Sequence, residues 1–194
     1  MTIPRFAFSH AGLNVFDIRT MERFYRKVFG FAVTDRGVLR GRDLVFLSRN
    51  PREHHEVVLV AGRTGNPAET SLNQISFRLP SLADLRRMHR RIAATAGVRD
   101  ITPIDHGNAW AVYFRDPEGN RIEMFVDAPW YVSQPLAEPL DFALSDRAIR
   151  ARTRKRHAGD RSLQPAAAWR RDFKRRLAGA AAAKPKRKAA RAAR

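Results

Sequence analysis

The chain has 194 residues, a formal net charge of +18 and no cysteine. That length holds one domain of ordinary size with an appendage, and the lack of thiols excludes disulfides, thiolate metal ligands and cysteine nucleophiles. Residues 1–146 hold 19 Lys and Arg against 17 Asp and Glu, which leaves 18 basic and 2 acidic residues for 147–194. The body is therefore near neutral, and a nucleic-acid-binding fold is not what it was built as. The opening MTIPRFAF lacks a basic region followed by a long apolar run, and no apolar run approaches membrane-spanning length. A soluble cytoplasmic protein with no membrane contact is expected.

Residues 6–15 read as a strand, with Ala11, Leu13 and Val15 on one face and Phe8, His10, Gly12 and Asn14 on the other. Asp17 is placed to cap a helix over 18–29 whose stripe is Met21, Phe24, Tyr25, Val28 and Phe29, and Gly30 ends it. Short strands follow near 31–35, 43–48 and 55–61, then a Gly- and Pro-containing linker over 62–71. The order then repeats. Residues 72–79 are a strand, Ser81 and Asp84 open a helix through about residue 95, and strands follow near 100–104, 109–115 and 120–127.

The last two strands form a hairpin closed by Asp116-Pro117-Glu118-Gly119, where Pro fixes φ and Gly takes a positive one. Glu123 stands out as a carboxylate in mid-strand between apolar neighbours, so it needs either a wet face or a partner. The chain is thus an α+β protein of two βαβββ units, 6–62 and 72–128, within one domain over 6–128. An irregular Pro-rich strap is expected over 129–149, with Ser145 able to cap a last helix. A basic, low-complexity tail with nothing to bury, hence disordered, is expected over 150–194.

The His10 strand running into MERFYRKVFGF, the doubled βαβββ order and YFRDPEGNRIEMF together resemble the vicinal oxygen chelate superfamily of glyoxalases, extradiol ring-cleavage dioxygenases and bleomycin-binding proteins. The resemblance covers roughly residues 6–128. It implies that the two units form an open, cupped β-barrel, with metal ligands projecting from their first and last strands. Carried over by position, His10, Gln74 and Glu123 match the metal ligands. Gln74 stands where a His is usual, and an amide oxygen is a weaker Fe(II) ligand than an imidazole.

The extradiol branch is the one the resemblance favours. His55 falls where a proton-handling residue belongs, and His106 and Tyr113 where residues that steady the substrate and oxygen belong. Trp110, Phe125, Trp130 and Tyr131 are candidates for an aromatic wall or lid. The expected cofactor is Fe(II) or Mn(II), and the expected substrate a catechol-like small molecule.

His55 and Glu56 are neighbours on an expected strand, so only one of them faces the cavity. If it is Glu56, the ligand set becomes His10, Glu56, Gln74 and Glu123, which suits Ni(II) or Zn(II) and glyoxalase-like lyase or isomerase chemistry. A metal-free binding protein of the bleomycin-binding kind is the third reading, and Gln74 favours it. A homodimer is expected from the superfamily's habits, and weak, salt-sensitive polyanion binding from the basic tail.

Overall fold

Each predicted unit is present as a sheet backed by one helix. The structure, a computed structural model, describes residues 4, 6–67 and 69–182. The first unit comprises β1 (Ala11–Val15), α1 (Ile18–Phe29), β2 (Ala32–Leu39), β3 (Arg42–Ser48) and β4 (Val57–Ala61). The second comprises β5 (Ile75–Arg78), α2 (Leu82–Ala93), β6 (Arg99–Asp105), β7 (Ala109–Arg115) and β8 (Arg121–Asp127).

Capping fixes where the helices begin. The Asp17 side chain accepts from the amides of Arg19 and Thr20, both at 3.0 Å, and Ser81 accepts from the Asp84 amide at 3.1 Å. Gly30 closes α1 at φ 72°, a conformation that favours glycine. Met21, Phe24, Tyr25, Val28 and Phe29 of α1 are all buried.

The two sheets have the same design. The first has the strand order β1-β4-β3-β2 and the second β10-β6-β7-β8-β5, where β10 is Glu138–Pro139. In each unit the first strand runs parallel to the last one, and neither sheet closes into a barrel. The core is continuous between units: the Phe29 ring lies 5.3 Å from that of Phe77 and 6.2 Å from that of Phe114. Polar clamps join the same elements. The Glu118 carboxylate accepts from the amides of Phe16 and Asp17 at 2.9 and 2.7 Å, and Arg91 Nε donates to the Val28 carbonyl at 2.9 Å. Among the described residues no helix is long and apolar enough to cross a membrane.

Two expectations are corrected. The strand expected from residue 6 begins at Ala11, and the one expected from 55 begins at Val57. His10, His55 and Glu56 therefore all lie just before their strands, and the alternation rule that was to choose between His55 and Glu56 does not govern them.

The second correction concerns the basic segment. Residues 150–182 are not a bare tail: α3 (Asp146–Arg156), capped by Ser145 as expected, is followed by a two-residue strand β11 (Gln164–Pro165) and by α4 (Ala166–Ala182). Composition concealed this because α3 is anchored by few residues. Ile149 and Thr153 are its buried positions. Thr153 Oγ1 donates to Asp105 at 2.6 Å and accepts from Trp110 Nε1 at 2.9 Å. Strand β11 pairs with β9 (Trp130–Tyr131). Residues 183–194 of the expected tail lie outside the described residues.

Two stability tests follow from these contacts. Thr153→Val removes the hydroxyl that joins Asp105 to Trp110 and is expected to cost about 2 kcal/mol, read by urea unfolding. An unchanged midpoint would show that α3 is not held this way.

The second test concerns Asp116, which is fully buried in the hairpin turn. Burial raises its carboxyl from 3.8 to about 6 against hydrogen bonds from Asn120 and Glu118 that favour the charge. Folding thus favours the acid form. That contribution is complete below 3.8 and is lost as pH rises through about 6, a span worth about 3 kcal/mol. Stability is expected to fall across that window, and Asp116→Asn is expected to flatten the profile while keeping an oxygen for the turn amides.

Candidate active site on the second sheet

The register of the second sheet gathers three polar residues in one row. Ile122, Met124 and Val126 of β8 are buried against the core, so Glu123 and Phe125 face the other way. Ser76 of β5 and Tyr113 of β7 stand opposite Glu123 on either side. Glu123 is only 8% exposed, and three donors hold its carboxylate. Tyr113 Oη donates to Oε1 at 2.6 Å, Gln74 Nε2 donates to Oε2 at 2.9 Å, and Ser76 Oγ also donates to Oε2. A charge removed from water needs such donors.

The row continues into a relay. His106 Nε2 lies 3.0 Å from Tyr113 Oη, and its Nδ1 lies 2.5 Å from the Leu136 carbonyl. Burial, then the hydrogen bond and charge of Glu123, push the Tyr113 phenol up to about 12, so it keeps its proton at neutral pH. A carbonyl only accepts, so Nδ1 must carry hydrogen. The Tyr113 hydroxyl thus stands between the Glu123 carboxylate and the His106 ring in one continuous hydrogen-bonded array.

His106 is held from outside the two units. Gln134 Nε2 donates to the His106 carbonyl at 2.7 Å, and Trp130 Nε1 donates to the Gly107 carbonyl at 2.7 Å. Gly107 has φ 74°, and a Cβ there would lie 2.6 Å from Val132 and 3.0 Å from both Leu136 and the buried His157 ring. The strap expected over 129–149 is thus packed against the turn that presents His106.

The first unit contributes a separate group. The rings of His10 and His55 are 4.1 Å apart, and His54 Nδ1 lies 2.9 Å from His55 Nδ1. Burial, then His10 and His54, lower the pKa of His55, which favours the neutral, ligand-ready imidazole. Glu56 accepts from the Arg49 amide at 2.7 Å, and it lines a cavity together with Ser76 and Phe125.

The structure therefore brings together Gln74, Glu123, Tyr113 and His106 on one side, and His10 with His55 on the other. Among the described residues no three His, Asp or Glu side chains converge tightly enough to hold a metal ion. By type the donors do fit one: a buried carboxylate, imidazoles and an amide are donors that divalent iron, manganese, nickel and zinc accept.

The expected aromatic wall divides. Phe125 shares the face of Glu123. Trp110 is fully buried in the core beneath α3, and Trp130 packs edge-on against it at 5.8 Å while bordering a separate cavity with Tyr131 and Trp169. Tyr131 stacks on Trp169 of α4 at 4.9 Å. Sequence reasoning missed Ser76, although its two-residue offset from Gln74 was a usable signal. It also missed Gln134 and the Leu136 carbonyl, for which no local signal exists.

Gly107→Ala is expected to lower stability by about 2 kcal/mol or more, because the new methyl meets both a positive φ and a filled space. It should also shift the NMR signals of the His106 ring. An unmoved His106 signal would show that the strap does not position it.

The sequence model of the glyoxalase/bleomycin resistance protein/dioxygenase superfamily matches residues 7–124. The chain is 26% identical over 167 residues to biphenyl-2,3-diol 1,2-dioxygenase 2 of Rhodococcus globerulus, spanning 77% of this chain and 84% of that protein. It is 31% identical over 133 residues to biphenyl-2,3-diol 1,2-dioxygenase 3 of the same organism, spanning 66% of each. A glyoxylase/bleomycin resistance protein/dioxygenase domain from Frankia sp. EAN1pec has a similar fold, with a TM-score of 0.56 at 21% identity over 64% of this chain and 100% of that chain.

Proposed function

Because the chain belongs to the glyoxalase/bleomycin resistance protein/dioxygenase superfamily, we propose that it is a metal-dependent, extradiol-type dioxygenase acting on a catechol-like aromatic diol. The observation that carries this reading is the His106–Tyr113–Glu123 relay, a continuous hydrogen-bonded array in a chain similar to two proteins named as diol dioxygenases. His10, Gln74 and Glu123 would hold Fe(II) or Mn(II). Once bound, the ion would supply Lewis-acid and redox chemistry for a vicinal diol and dioxygen.

The chain's own residues do the rest. Tyr113, protonated at neutral pH, holds a hydrogen on Glu123. His106 Nε2 lies within reach of the Tyr113 oxygen, so a proton given to that oxygen would be balanced by the phenol's own hydrogen passing to Glu123, and general acid–base help of this kind contributes about 100-fold or more. His55, whose ring is biased towards the neutral form, is suited to accept a proton from a diol hydroxyl. Phe125 offers an apolar face on the same side of the sheet.

A second reading rests on Glu56, which shares a cavity with Ser76. With Glu56 as a fourth ligand, Ni(II) or Zn(II) would support a glyoxalase-like lyase.

The test is metal content by mass spectrometry after anaerobic purification without a histidine tag, followed by oxygen uptake with catechol and biphenyl-2,3-diol. About one iron or manganese per chain is expected, with ring-opened product. Glu123→Gln should abolish turnover, and Tyr113→Phe should slow it by about 100-fold. Nickel or zinc in place of iron would move the assignment to the lyase. A chain that takes up no metal would be a binding protein instead.

A further inference from the structure

Between the two units a cavity of about 490 Å³ opens to solvent, lined by Phe29, Phe31, Phe77, Met124 and Phe125 together with Arg49, Glu56, Ser76 and Arg78. Its volume falls within the range of small-molecule sites. The half-buried Phe77 and Phe125 rings, backed by the buried Phe29 and Phe31, suit a flat aromatic guest through edge and face contacts. At its polar end stands Ser76, which donates to the Glu123 carboxylate, so the cavity adjoins the relay.

The two arginines on the lining differ. Arg78 is engaged: its Nε is 3.1 Å from Asp127, and its guanidinium lies 5.0 Å from the Phe125 ring centre. Arg49 is not. Its backbone amide donates to Glu56, but its guanidinium has no hydrogen-bond or ion-pair partner among the described residues. Glu56 is the one acid on the lining, and its carboxylate is already held by the Arg49 amide at 2.7 Å. An anionic group entering the cavity would be turned away from Glu56 and received by Arg49, whose planar fork matches a carboxylate.

We propose that this cavity binds the ring of an aromatic carboxylate, with Arg49 taking the acid group and the Phe77 and Phe125 rings taking the hydrocarbon. Resting on the reading of the Glu123 face as the reaction centre, this makes the substrate a diol that carries an acidic substituent.

The test uses probes with no diol, so that binding is separate from turnover. Calorimetry on the full chain compares 2-naphthoate with 2-naphthylmethanol. The acid is expected to bind about tenfold more tightly, as a charge-assisted contact provides, and Arg49→Gln should erase that preference. Arg52→Gln, on the neighbouring loop, should leave it intact, and Phe125→Ala should weaken both probes alike. Equal affinities for the two probes, or a preference that survives Arg49→Gln, would overturn the proposal. Diol cleavage without naphthoate preference would remove the proposal alone. Naphthoate preference without any diol cleavage would keep the cavity's ligand class and remove the dioxygenase.

Discussion

Burying the Glu123 carboxylate in the middle of a strand sets the conditions for everything around it. An ionised carboxylate out of water is tolerated only with donors on both oxygens. The second sheet supplies them from the two strands that flank β8: Ser76 on β5 and Tyr113 on β7, with Gln74 just before β5. The parallel β5–β8 pairing puts Ser76 opposite Glu123 and brings Gln74 beside it, and the antiparallel β7–β8 pairing puts Tyr113 opposite it on the other side. Topology and electrostatics are one requirement here, since a slip of a single residue would turn Glu123 into the core and Met124 out of it.

That constraint passes outward through Tyr113. Its hydrogen is committed to Glu123, so its oxygen is left to meet His106, and the other nitrogen of His106 must then find an acceptor. The acceptor is the Leu136 carbonyl, on a segment beyond the superfamily match to residues 7–124. The extension after residue 128 is therefore part of the site's scaffold. Its helix α3 is fastened by Asp105, Thr153 and Trp110, on the same strands that border the His106 turn. Four of its positive charges are used locally: Arg156 faces Asp105 at 3.4 Å, Arg170 of α4 faces Asp127 at 3.7 Å, and Arg150 and Arg154 lie over the rings of Trp110 and Trp130. Charge that read as a polyanion-binding tail is in part the means by which the extension grips the body.

What the sequence made legible, and what it hid, follows from the range of the interactions. The helix caps Asp17, Ser81 and Ser145, the apolar stripes and the doubled βαβββ order are local, and each was readable. Glu123 was readable as an anomaly because alternation exposes a misplaced charge. Ser76 became visible only through pairing register, and the Leu136 carbonyl only through tertiary contact 30 residues from His106. The starts of β1 and β4 were misjudged because Phe6, Phe8, His54 and His55 continue an aromatic pattern that the ladder does not. Strand length is set by hydrogen-bonding partners, and apolar letters do not reveal those.

The seam between the units is where these lines meet. On one side His10 and His55 lie at the entrances to β1 and β4, and on the other Gln74, Ser76 and Glu123 line the edge of β5 and β8. The cavity lined by Glu56, Ser76 and Phe125 takes its walls from both units and borders the second group through Ser76. The units are registered by Glu118, which ties the hairpin turn to the start of α1, and by Arg91 on the α1 carboxyl end. Neither clamp touches the relay, yet both tie together the units that carry the two donor groups. A ligand that engaged both sides would bind more tightly the better the units were held in place. The stability of the seam and affinity for that ligand would then be thermodynamically linked, and the buried turn at Asp116–Gly119 would matter to chemistry that it never touches.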